Sequence, residues 1–444
     1  MRAALLALGL LAGCGAAGSG APDVVVVVLD TLRIDRTTVF DPARDTTPFL
    51  AELAERSVVF DDAWSTSSWT APAVASLFTG LYPSQHGVDV GIWLLRQLHA
   101  SRPQLRLKQI PPELETLPEL LRARGYVTFG IADNPNVSQA EGFSRGFDRF
   151  ASADYRGGAE VNALLAEWAP SIRAAEPAFV YLHYMDAHWP YQAHPEHWRP
   201  PDDASERAQE IARYDAELRF LDALLREAFE QLALADDAII VVASDHGEEL
   251  YERGAAMEHR QHGFQLYDEL ARVLLMIRDP RGAPGGARSD RPASLVDVLP
   301  TLRQLVGAPA DPRAAGRSLV AAWKPDGEPG AARALFAMRR EVAGRDRRMR
   351  AVIRDGWKYI RTEPAAEGGG EVRQELYDLR SDRRERQDRC ASEPARCAAL
   401  HQQWLAFDRA APRWQPEPAT LEVSPAQAER LRALGYADDA ADAP

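Results

Sequence analysis

The sequence predicts an α/β fold: a doubly wound, mostly parallel sheet sandwiched by helices, followed by a small C-terminal antiparallel sheet. Apolar, β-branched runs without polar alternation recur along the first 280 residues, which is typical of strands buried on both faces. Helical segments alternate with these runs, as expected for crossovers between parallel strands. Near residue 349 the pattern changes to shorter segments of alternating polarity, which favours an antiparallel sheet.

The elements follow from this pattern in chain order. We expect buried strands at Val24–Leu29, Tyr126–Ala132, Ala178–His183, Ala238–Ala243 and Val273–Ile277. Helices are predicted at Thr47–Glu55, Ala71–Phe78, Glu113–Arg124, Glu206–Leu232 and Leu295–Val306. The Gly-, Pro- and Ala-rich stretch from Pro309 to Gly330 predicts a linker or loop. Met349–Arg361 and Glu375–Leu379 predict the antiparallel sheet, with a hairpin tip at Gly368–Gly370.

The N-terminus predicts export. A basic residue, Arg2, precedes a short apolar run that ends in small residues, a pattern typical of a secretory signal and too short to span a bilayer. Leu11-Ala12-Gly13-Cys14 resembles the lipobox of bacterial lipoproteins, which implies cleavage before Cys14 and its lipidation. The alternative is an ordinary signal with an incidental cysteine.

These features predict a domain organisation and a location. We expect a signal peptide at 1–13, a lipidated tether at 14–22, a catalytic domain at 23–310 and a C-terminal subdomain at 311–444. The protein would lie in a bacterial cell envelope, facing the periplasm or on the outer membrane, and contact the membrane through its N-terminal lipid.

Charge and cysteines narrow the function class. A formal charge of −13 argues against a nucleic-acid partner, because such partners select a basic surface. No feature indicates a protein partner.

Cys390 and Cys397 are seven positions apart, and in an oxidising compartment such a pair is typical of a small disulfide loop. The alternative is two unrelated thiols.

Polar clusters follow three of the predicted strands. Asp30 ends the first, His183, Asp186 and His188 end or follow the third, and Asp245-His246 follow the fourth. In doubly wound sheets ligands bind beyond the carboxyl ends of strands, so these clusters should meet at one edge. Taken alone, Asp30 is equally a helix cap or a metal ligand, and Asp245 a ligand or a hydrogen-bonded loop acid. His183 is equally a satisfied strand-end histidine or a site residue.

Thr70 lies before Pro72 at or near the start of a helix that ends at Gly80. Free amides and the helix dipole there would hold an oxyanion. The hydroxyl is either a plain cap or a nucleophile, and a neighbouring metal would favour the latter because a cation stabilises the alkoxide.

In this order, the motifs resemble the sulfatase family of the alkaline-phosphatase superfamily. The resemblance covers almost the whole mature chain and is carried by Leu29-Asp30-Thr31-Leu32-Arg33, Ser76 to Gly87, Gly125-Tyr126 through Gly146-Phe147-Asp148, Leu182 to Tyr191, Tyr214-Asp215 to Asp222, Ser244 to Glu248, His262-Gly263 to Glu269, Asp297 to Thr301, Glu375 to Leu379 and Leu434-Gly435-Tyr436.

The resemblance implies a role for each matching residue. It implies one divalent metal, Zn²⁺, Mn²⁺ or Ca²⁺, held by Asp30, Asp245, His246 and the Thr70 oxygen. It places His188 and His262 where the family binds the oxyanion or protonates the leaving group. His183, Asp186 and Arg33 are expected substrate contacts. A second metal held by Asp186, His188 and His262 is the alternative.

The sequence departs from the family at the nucleophile. The sulfatase signature Cys-x-Pro-Ser-Arg is here Thr70-Ala71-Pro72-Ala73-Val74, so formylglycine cannot form. A threonine resembles instead the superfamily's phosphoryl-transfer members, which favours phosphate mono- or diesters, or transfer of a phosphoalcohol, on a small-molecule, lipid or glycan substrate. The alternatives are a genuine sulfuric ester hydrolase and a non-catalytic, substrate-binding lipoprotein of the same fold.

Overall fold

The computed structural model describes residues 20–92, 95, 106–203, 205–253, 262–323, 332–339, 347–364, 370–415 and 418–419. The predicted signal peptide, Cys14 and most of the tether lie outside these residues, as do Gly368, Gly369 and the motif at Leu434-Gly435-Tyr436. Within the described ranges, no helix has both the length and the apolar character needed to cross a membrane.

The main sheet has eight strands in the spatial order β10-β2-β9-β8-β1-β7-β5-β6. β1 runs parallel to both β7 and β8, and β5 runs parallel to β6 and β7, whereas β9 is antiparallel to β2 and β8. The strands of the described chain are β1 (Val24–Leu29), β2 (Val58–Phe60), β3 (Ala63–Trp64), β4 (Leu107–Lys108), β5 (Val127–Ala132), β6 (Arg149–Ser152), β7 (Ala178–Tyr184), β8 (Ile239–Ser244), β9 (Leu275–Arg278), β10 (Ala287–Ser289), β11 (Ala293–Ser294), β12 (Leu335–Arg339), β13 (Arg348–Arg354), β14 (Trp357–Glu363), β15 (Arg373–Asp378) and β16 (Pro418–Ala419).

Helices cover both faces of this sheet. They are α1 (Pro48–Ala54), α2 (Thr70–Thr79), α3 (Pro83–His86), α4 (Leu117–Ala123), α5 (Gly158–Ala174), α6 (Glu206–Leu232), α7 (Asp268–Ala271), α8 (Val298–Leu305) and α9 (Pro394–Ala410), with 3-10 turns at Ile34–Arg36, Leu295–Asp297 and Val320–Ala322. Because side chains alternate along a strand, Val24 and Val26 pack with α2, α4 and α8, while Val25 and Val27 pack with α1, α5 and α6. The buried apolar runs therefore form the predicted doubly wound sheet.

Strands β12 to β15 form a separate antiparallel sheet. One face packs Ala351 and Ile360 against Trp64 of the main body, and the other packs against Trp404 of α9. Before and within α9, Cys390 and Cys397 form a disulfide with Cα atoms 5.3 Å apart, the pairing suggested by their spacing.

The predicted elements and the structure differ at particular points. The predicted bounds of β1 and α6 match the observed ones, whereas α4 begins only at Leu117, because Thr116 and Glu119 form a capping box there. Helices α5 and α9 were not predicted. The described part of the predicted linker packs on the main body, since the amides of Ala315 and Gly316 donate to the Gly80 carbonyl.

Candidate active site

The carboxyl ends of four adjacent strands, β8, β1, β7 and β5, converge at one edge of the main sheet. The strand register brings these ends level with one another, because Val28 of β1 pairs with His183 of β7 and Leu29 pairs with Ser244 of β8. The residues that follow these strand ends therefore meet, and the helix start carrying Thr70 closes the same space. We call Asp30, Thr70, His183, Asp245 and His246 the site cluster; each is at least 98% buried.

Asp30 is the centre of the site cluster. Its Oδ2 lies 3.2 Å from both Thr70 Oγ1 and His183 Nε2. Its Oδ1 lies 3.6 Å from His246 Nε2 and accepts no hydrogen bond from the residues that the structure describes. Burial by itself raises the pKa of Asp30, but the hydrogen bond from His183 and the nearby His246 hold that pKa below its ordinary value. Asp30 is thus the carboxylate that stays ionised.

The turn after β1 contains a strained backbone conformation at Thr31, which two hydrogen bonds hold in place. Thr31 has φ of 55°, a left-handed conformation that costs a β-branched residue about 1–3 kcal/mol. Its amide donates to Asp245 Oδ1 at 3.3 Å, and its carbonyl accepts from the Tyr214 hydroxyl at 2.9 Å. These bonds hold the turn that places Asp30 beside the β8 loop.

Asp245 leaves one carboxylate oxygen open. Oδ1 accepts from the amides of Thr31 and His246, whereas Oδ2 has no hydrogen-bond partner in the described chain. Burial and the charge of Asp30 raise the pKa of Asp245 well above its ordinary value. The buried carboxylates of Asp30 and Asp245 each disfavour ionisation of the other, so a cation bound between them would stabilise both.

His246 has the tautomer of a metal ligand. Its Nδ1 donates to the Gly247 carbonyl at 2.8 Å, which leaves the Nε2 lone pair directed into the site cluster. Burial and the neighbouring His262 lower the pKa of His246 to about 3, so the ring is neutral. Position 247 requires glycine, since a Cβ there would lie 2.0 Å from the Glu269 carbonyl oxygen.

Thr70 is the first residue of α2, one position beyond its N-cap, Trp69. Its hydroxyl therefore does not cap the helix; it lies 3.2 Å from Asp30 Oδ2 and 3.3 Å from His246 Nε2. Every residue of α2 is buried, and the helix ends at Gly80, which adopts φ of 67°. The fold thus holds the Thr70 hydroxyl next to Asp30 and His246, two of the groups that the sequence analysis predicted beside it.

His188 and His262 lie next to the site cluster but differ in their hydrogen bonds. The His262 ring centroid is 4.6 Å from that of His246 and 4.8 Å from that of His188. His262 Nδ1 lies 3.1 Å from Glu248 Oε1; burial alone would lower the pKa of His262, but this carboxylate raises it above its ordinary value. His188 Nδ1 donates to the Trp189 carbonyl, and burial together with His262 lowers the pKa of His188.

Two expected substrate contacts have other partners. Asp186 Oδ1 accepts from the Gly158 amide at 3.0 Å, which places this side chain at the start of α5. Arg33 is 5% exposed and pairs with Asp35 at 2.8 Å and Glu252 at 2.7 Å. Neither residue has a hydrogen bond or ion pair to the site cluster within the described chain. His183, the third expected contact, belongs to the cluster itself.

One site residue was missed by sequence reasoning. Asn134 Nδ2 donates to Asp30 Oδ2 at 2.6 Å and to Thr70 Oγ1 at 3.1 Å. It follows β5, so the rule that drew attention to polar residues after the other three strands would have found it.

The donor set fits a divalent cation. Asp30, His183 and Asp245 each offer a ligand atom, and these atoms lie within 4.8 Å of one another. Two open carboxylate oxygens and the unprotonated Nε2 of His246 complete a set of oxygen and nitrogen donors that suits a divalent metal.

Comparisons with known proteins concern the family and the fold. A family model described as Sulfatase matches residues 22–308. The chain is 27% identical to the low-salt glycan biosynthesis sulfotransferase Agl7 of Haloferax volcanii over 305 residues, which are 65% of this chain and 62% of that protein. It is 27% identical to human arylsulfatase A over 359 residues, covering 69% and 68% of the two chains. The chain thus spans less than two thirds of the Haloferax relative.

A solved structure shares the fold at low identity. The phosphonate monoester hydrolase of Agrobacterium radiobacter superposes with a TM-score of 0.70 at 18% identity, covering 90% of this chain and all of that one. At this identity the likeness concerns the fold alone. It extends over both sheets, so the C-terminal antiparallel sheet belongs to the shared architecture.

Proposed function

Because the chain belongs to the sulfatase family, we propose that it is a metal-dependent ester hydrolase or transferase that acts through Thr70 and prefers phosphate to sulfate esters. One observation carries this proposal: the Thr70 hydroxyl lies at a buried helix start, within 3.3 Å of Asp30 Oδ2, His246 Nε2 and Asn134 Nδ2. A hydroxyl with this surrounding is positioned as a nucleophile.

In the proposed reaction, Thr70 is the nucleophile and a histidine protonates the departing alcohol. Thr70 Oγ1 gives up its proton to solvent water and attacks phosphorus, forming an O–P bond. The bond to the departing alcohol breaks, and that oxygen takes a proton from a histidine. Water or an acceptor alcohol then attacks the phosphothreonine and gives its proton to the same histidine, while the Thr70 oxygen leaves and takes a proton from solvent water.

His262 is the better acid for the departing alcohol. Glu248 raises the pKa of His262, whereas burial and His262 lower the pKa of His188, so His262 holds a proton more readily than His188 does. His188 lies beside it with a lowered pKa, and its Nδ1 donates to the Trp189 carbonyl, which suits a substrate contact rather than proton donation.

Asp30, Asp245 and His246 would hold the metal, with His183 as a further donor. The bound cation would stabilise negative charge on the nucleophile and the transferred group. Histidine donors favour Zn²⁺ or Mn²⁺ over Ca²⁺, which prefers oxygen ligands alone. We propose a single metal, since Asp186 of the alternative second site has no hydrogen bond or ion pair to the site cluster within the described chain, and its Oδ1 accepts from the Gly158 amide of α5.

A sulfate ester is the second candidate. The relatives named a sulfotransferase and an arylsulfatase favour it. Against it stands the nucleophile position, where threonine replaces the cysteine from which formylglycine is made. Substrate assays decide between the two: 4-nitrophenyl sulfate, 4-nitrophenyl phosphate, its bis ester and a phenylphosphonate ester, each with and without chelator.

The nucleophile is tested by substitution and trapping. We expect Thr70→Ala to abolish turnover, Thr70→Ser to retain part of it, and mass spectrometry of the acid-quenched wild type to find a phosphate on Thr70. Full turnover by Thr70→Ala would refute the nucleophile. The binding-only alternative predicts that the wild type binds ester ligands and turns over none of them with any metal.

Export as a lipoprotein remains part of the proposal. It is supported by the lipobox-like Leu11-Ala12-Gly13-Cys14 and by the disulfide of Cys390 and Cys397, a bond found mainly in exported proteins. Labelling with radioactive palmitate should mark the wild type and leave Cys14→Ser unmarked. Equal labelling of both would contradict lipidation at Cys14.

A further inference from the structure

The loop between β15 and α9 carries a buried acid that does not belong to the site cluster. Glu385 is 2% exposed, although the residues on either side of it are exposed. Its backbone has φ of 51°, a left-handed conformation that costs a residue other than glycine about 1–3 kcal/mol. The strained backbone thus turns one acidic side chain of an exposed loop into the interior, and this side chain requires an explanation.

The Glu385 carboxylate has a different partner on each oxygen. Oε1 lies 2.9 Å from Nζ of Lys358, a residue of β14 that is 0% exposed. The Lys358 ammonium in turn lies 4.8 Å from the ring centroid of Trp64. Oε2 accepts from the backbone amide of Asp268, the first residue of α7, at 2.6 Å. The carboxylate therefore joins the C-terminal sheet to α7 of the main body.

The ion pair of Lys358 and Glu385 is a poor source of stability. Taking two charges out of water costs several kcal/mol, and an apolar pair of similar size is often at least as stable. Burial raises the pKa of Glu385 to about 7, although the charge of Lys358 opposes this shift. The buried pair and the strained backbone therefore favour a role in placing what Glu385 holds, which is the start of α7.

Helix α7 supports the loop that carries Asp245 and His246. The Gly247 amide donates to the Leu270 carbonyl at 2.9 Å. The two backbones are so close that a Cβ at position 247 would lie 2.0 Å from the Glu269 carbonyl oxygen. The Gly247 carbonyl accepts from His246 Nδ1, a contact that sets the orientation of the imidazole ring. A displacement of α7 would therefore move a proposed metal ligand.

Arg253 forms a second link between the Glu385 loop and α7. Its guanidinium donates to both carboxylate oxygens of Glu269, at 2.7 and 3.1 Å. The same guanidinium donates to the backbone carbonyls of Arg384 and Glu385, at 3.2 and 3.0 Å. The Arg253 amide donates to Glu249 at 2.9 Å. The loop before α9, helix α7 and the segment that follows β8 are thus connected by polar contacts.

We propose that Glu385 is a positioning residue of the proposed metal site, because it holds α7 against the loop that carries His246. The inference rests on the proposed function, since that function supplies the metal. It gives the C-terminal sheet a part in the site, with Lys358 fixing the position of the Glu385 carboxylate. Groups that orient metal ligands change the affinity for the metal without contacting it.

Binding of Co²⁺ to the full chain tests this inference without turnover, because the visible absorption of bound Co²⁺ depends on its ligand geometry. Two double variants both lack the buried charges. The acceptor variant, Lys358→Met with Glu385→Gln, keeps an oxygen for the Asp268 amide, and the acceptor-free variant, Lys358→Met with Glu385→Met, does not. We expect the acceptor variant to match the wild type, and the acceptor-free variant to show a Kd raised about tenfold and an altered spectrum. Equal Kd values and spectra of the two variants would overturn the role of Glu385.

Arg333→Met with Asp297→Asn is the matched control. It also neutralises a buried ion pair, and within the described chain that pair has no hydrogen bond or ion pair to α7 or to the site cluster. Urea unfolding in chelator measures the stability of each protein. A purely structural role of Glu385 predicts that the control and the acceptor-free variant differ from the wild type in stability alone. A positioning role predicts a changed Co²⁺ spectrum in the acceptor-free variant only.

Arg253→Gln gives a second reading if the acceptor-free variant does not fold. This substitution removes the paired hydrogen bonds to Glu269 and leaves the buried pair of Lys358 and Glu385 in place. We expect its Kd for Co²⁺ to rise in the same direction, because α7 loses one of its two links to the loop. A wild-type Kd and spectrum in Arg253→Gln would overturn the inference.

The Co²⁺ titration separates this inference from the proposed function. If the wild type binds neither Co²⁺, Zn²⁺ nor Mn²⁺, the proposed metal site is refuted and the inference with it. If the wild type and the acceptor-free variant bind Co²⁺ alike, only the role of Glu385 is refuted. Turnover by Thr70→Ala would refute the nucleophile and leave the Co²⁺ comparison unaffected.

Discussion

Asp245 and Asp297 are two buried aspartates, 1% and 0% exposed, with opposite surroundings. Asp297 accepts hydrogen bonds from the amides of Ser294 and Arg317 at 2.8 and 2.7 Å, and the Arg333 guanidinium pairs with both of its oxygens. Asp245 has two amide donors on one oxygen and an open second oxygen facing Asp30 and His246.

This difference distinguishes a structural carboxylate from a functional one. The charge of Asp297 is matched by Arg333, and two amides also donate to its oxygens, so its interactions are complete without a ligand. The charge of Asp245 is matched by nothing in the described chain and is opposed by Asp30. A buried carboxylate with an unmatched charge is costly, which favours a role for Asp245 in binding a cation.

The largest effect is expected from Asp245→Asn. We expect loss of turnover by about a thousandfold or more, since metal-assisted charge stabilisation contributes several kcal/mol to such reactions. The metal-free variant should be more stable than the metal-free wild type, because the repulsion with Asp30 is gone. Steady-state kinetics and urea unfolding in chelator measure the two effects. A variant that loses both activity and stability would contradict this account of Asp245.

Asp297→Asn is expected to have the reverse profile. Removing one partner of a buried ion pair leaves Arg333 uncompensated and should cost about 3–5 kcal/mol of unfolding free energy. The specific activity of the folded fraction should persist. Urea unfolding measures the loss, and Arg333→Met in the Asp297→Asn background should restore part of it. If Asp297→Asn unfolds like the wild type, its arginine pair contributes little.

Chelation gives the next largest effect. A ligand at about a hundred times its Kd stabilises the folded state by about 2.7 kcal/mol, so removing the metal should lower the Tm of the wild type. The Tm of Asp245→Asn should not respond to chelator, whereas that of a refolded Asp297→Asn should fall like the wild type's. Calorimetric scans with EDTA and with re-added Zn²⁺ or Mn²⁺ compare the three proteins.

The sequence could predict that Asp30, Asp245 and His246 meet, because all follow strands whose carboxyl ends share one edge. It could also predict the doubly wound sheet from its unbroken apolar runs. It could not distinguish Asp245 from Asp297, since both are acids after apolar segments and only three-dimensional packing supplies Arg333 to one of them. The same limit applies to Asp186, whose oxygen accepts from the start of α5, a helix that the pattern did not reveal.

The smallest expected effect concerns Asn134, which contacts both the carboxylate and the nucleophile. Its side-chain amide donates to Asp30 Oδ2 and Thr70 Oγ1, so it orients two groups without reacting itself. We expect Asn134→Ala to lower kcat by about 10- to 100-fold, as for other groups that position metal ligands. KM should change little, and the stability gain predicted for Asp245→Asn should be absent, because Asn134 carries no charge. Asn134→Gln should retain a smaller share of the wild-type kcat than Thr70→Ser retains, since a longer amide cannot hold both contacts. A rise in KM with kcat unchanged would instead identify Asn134 as a substrate contact.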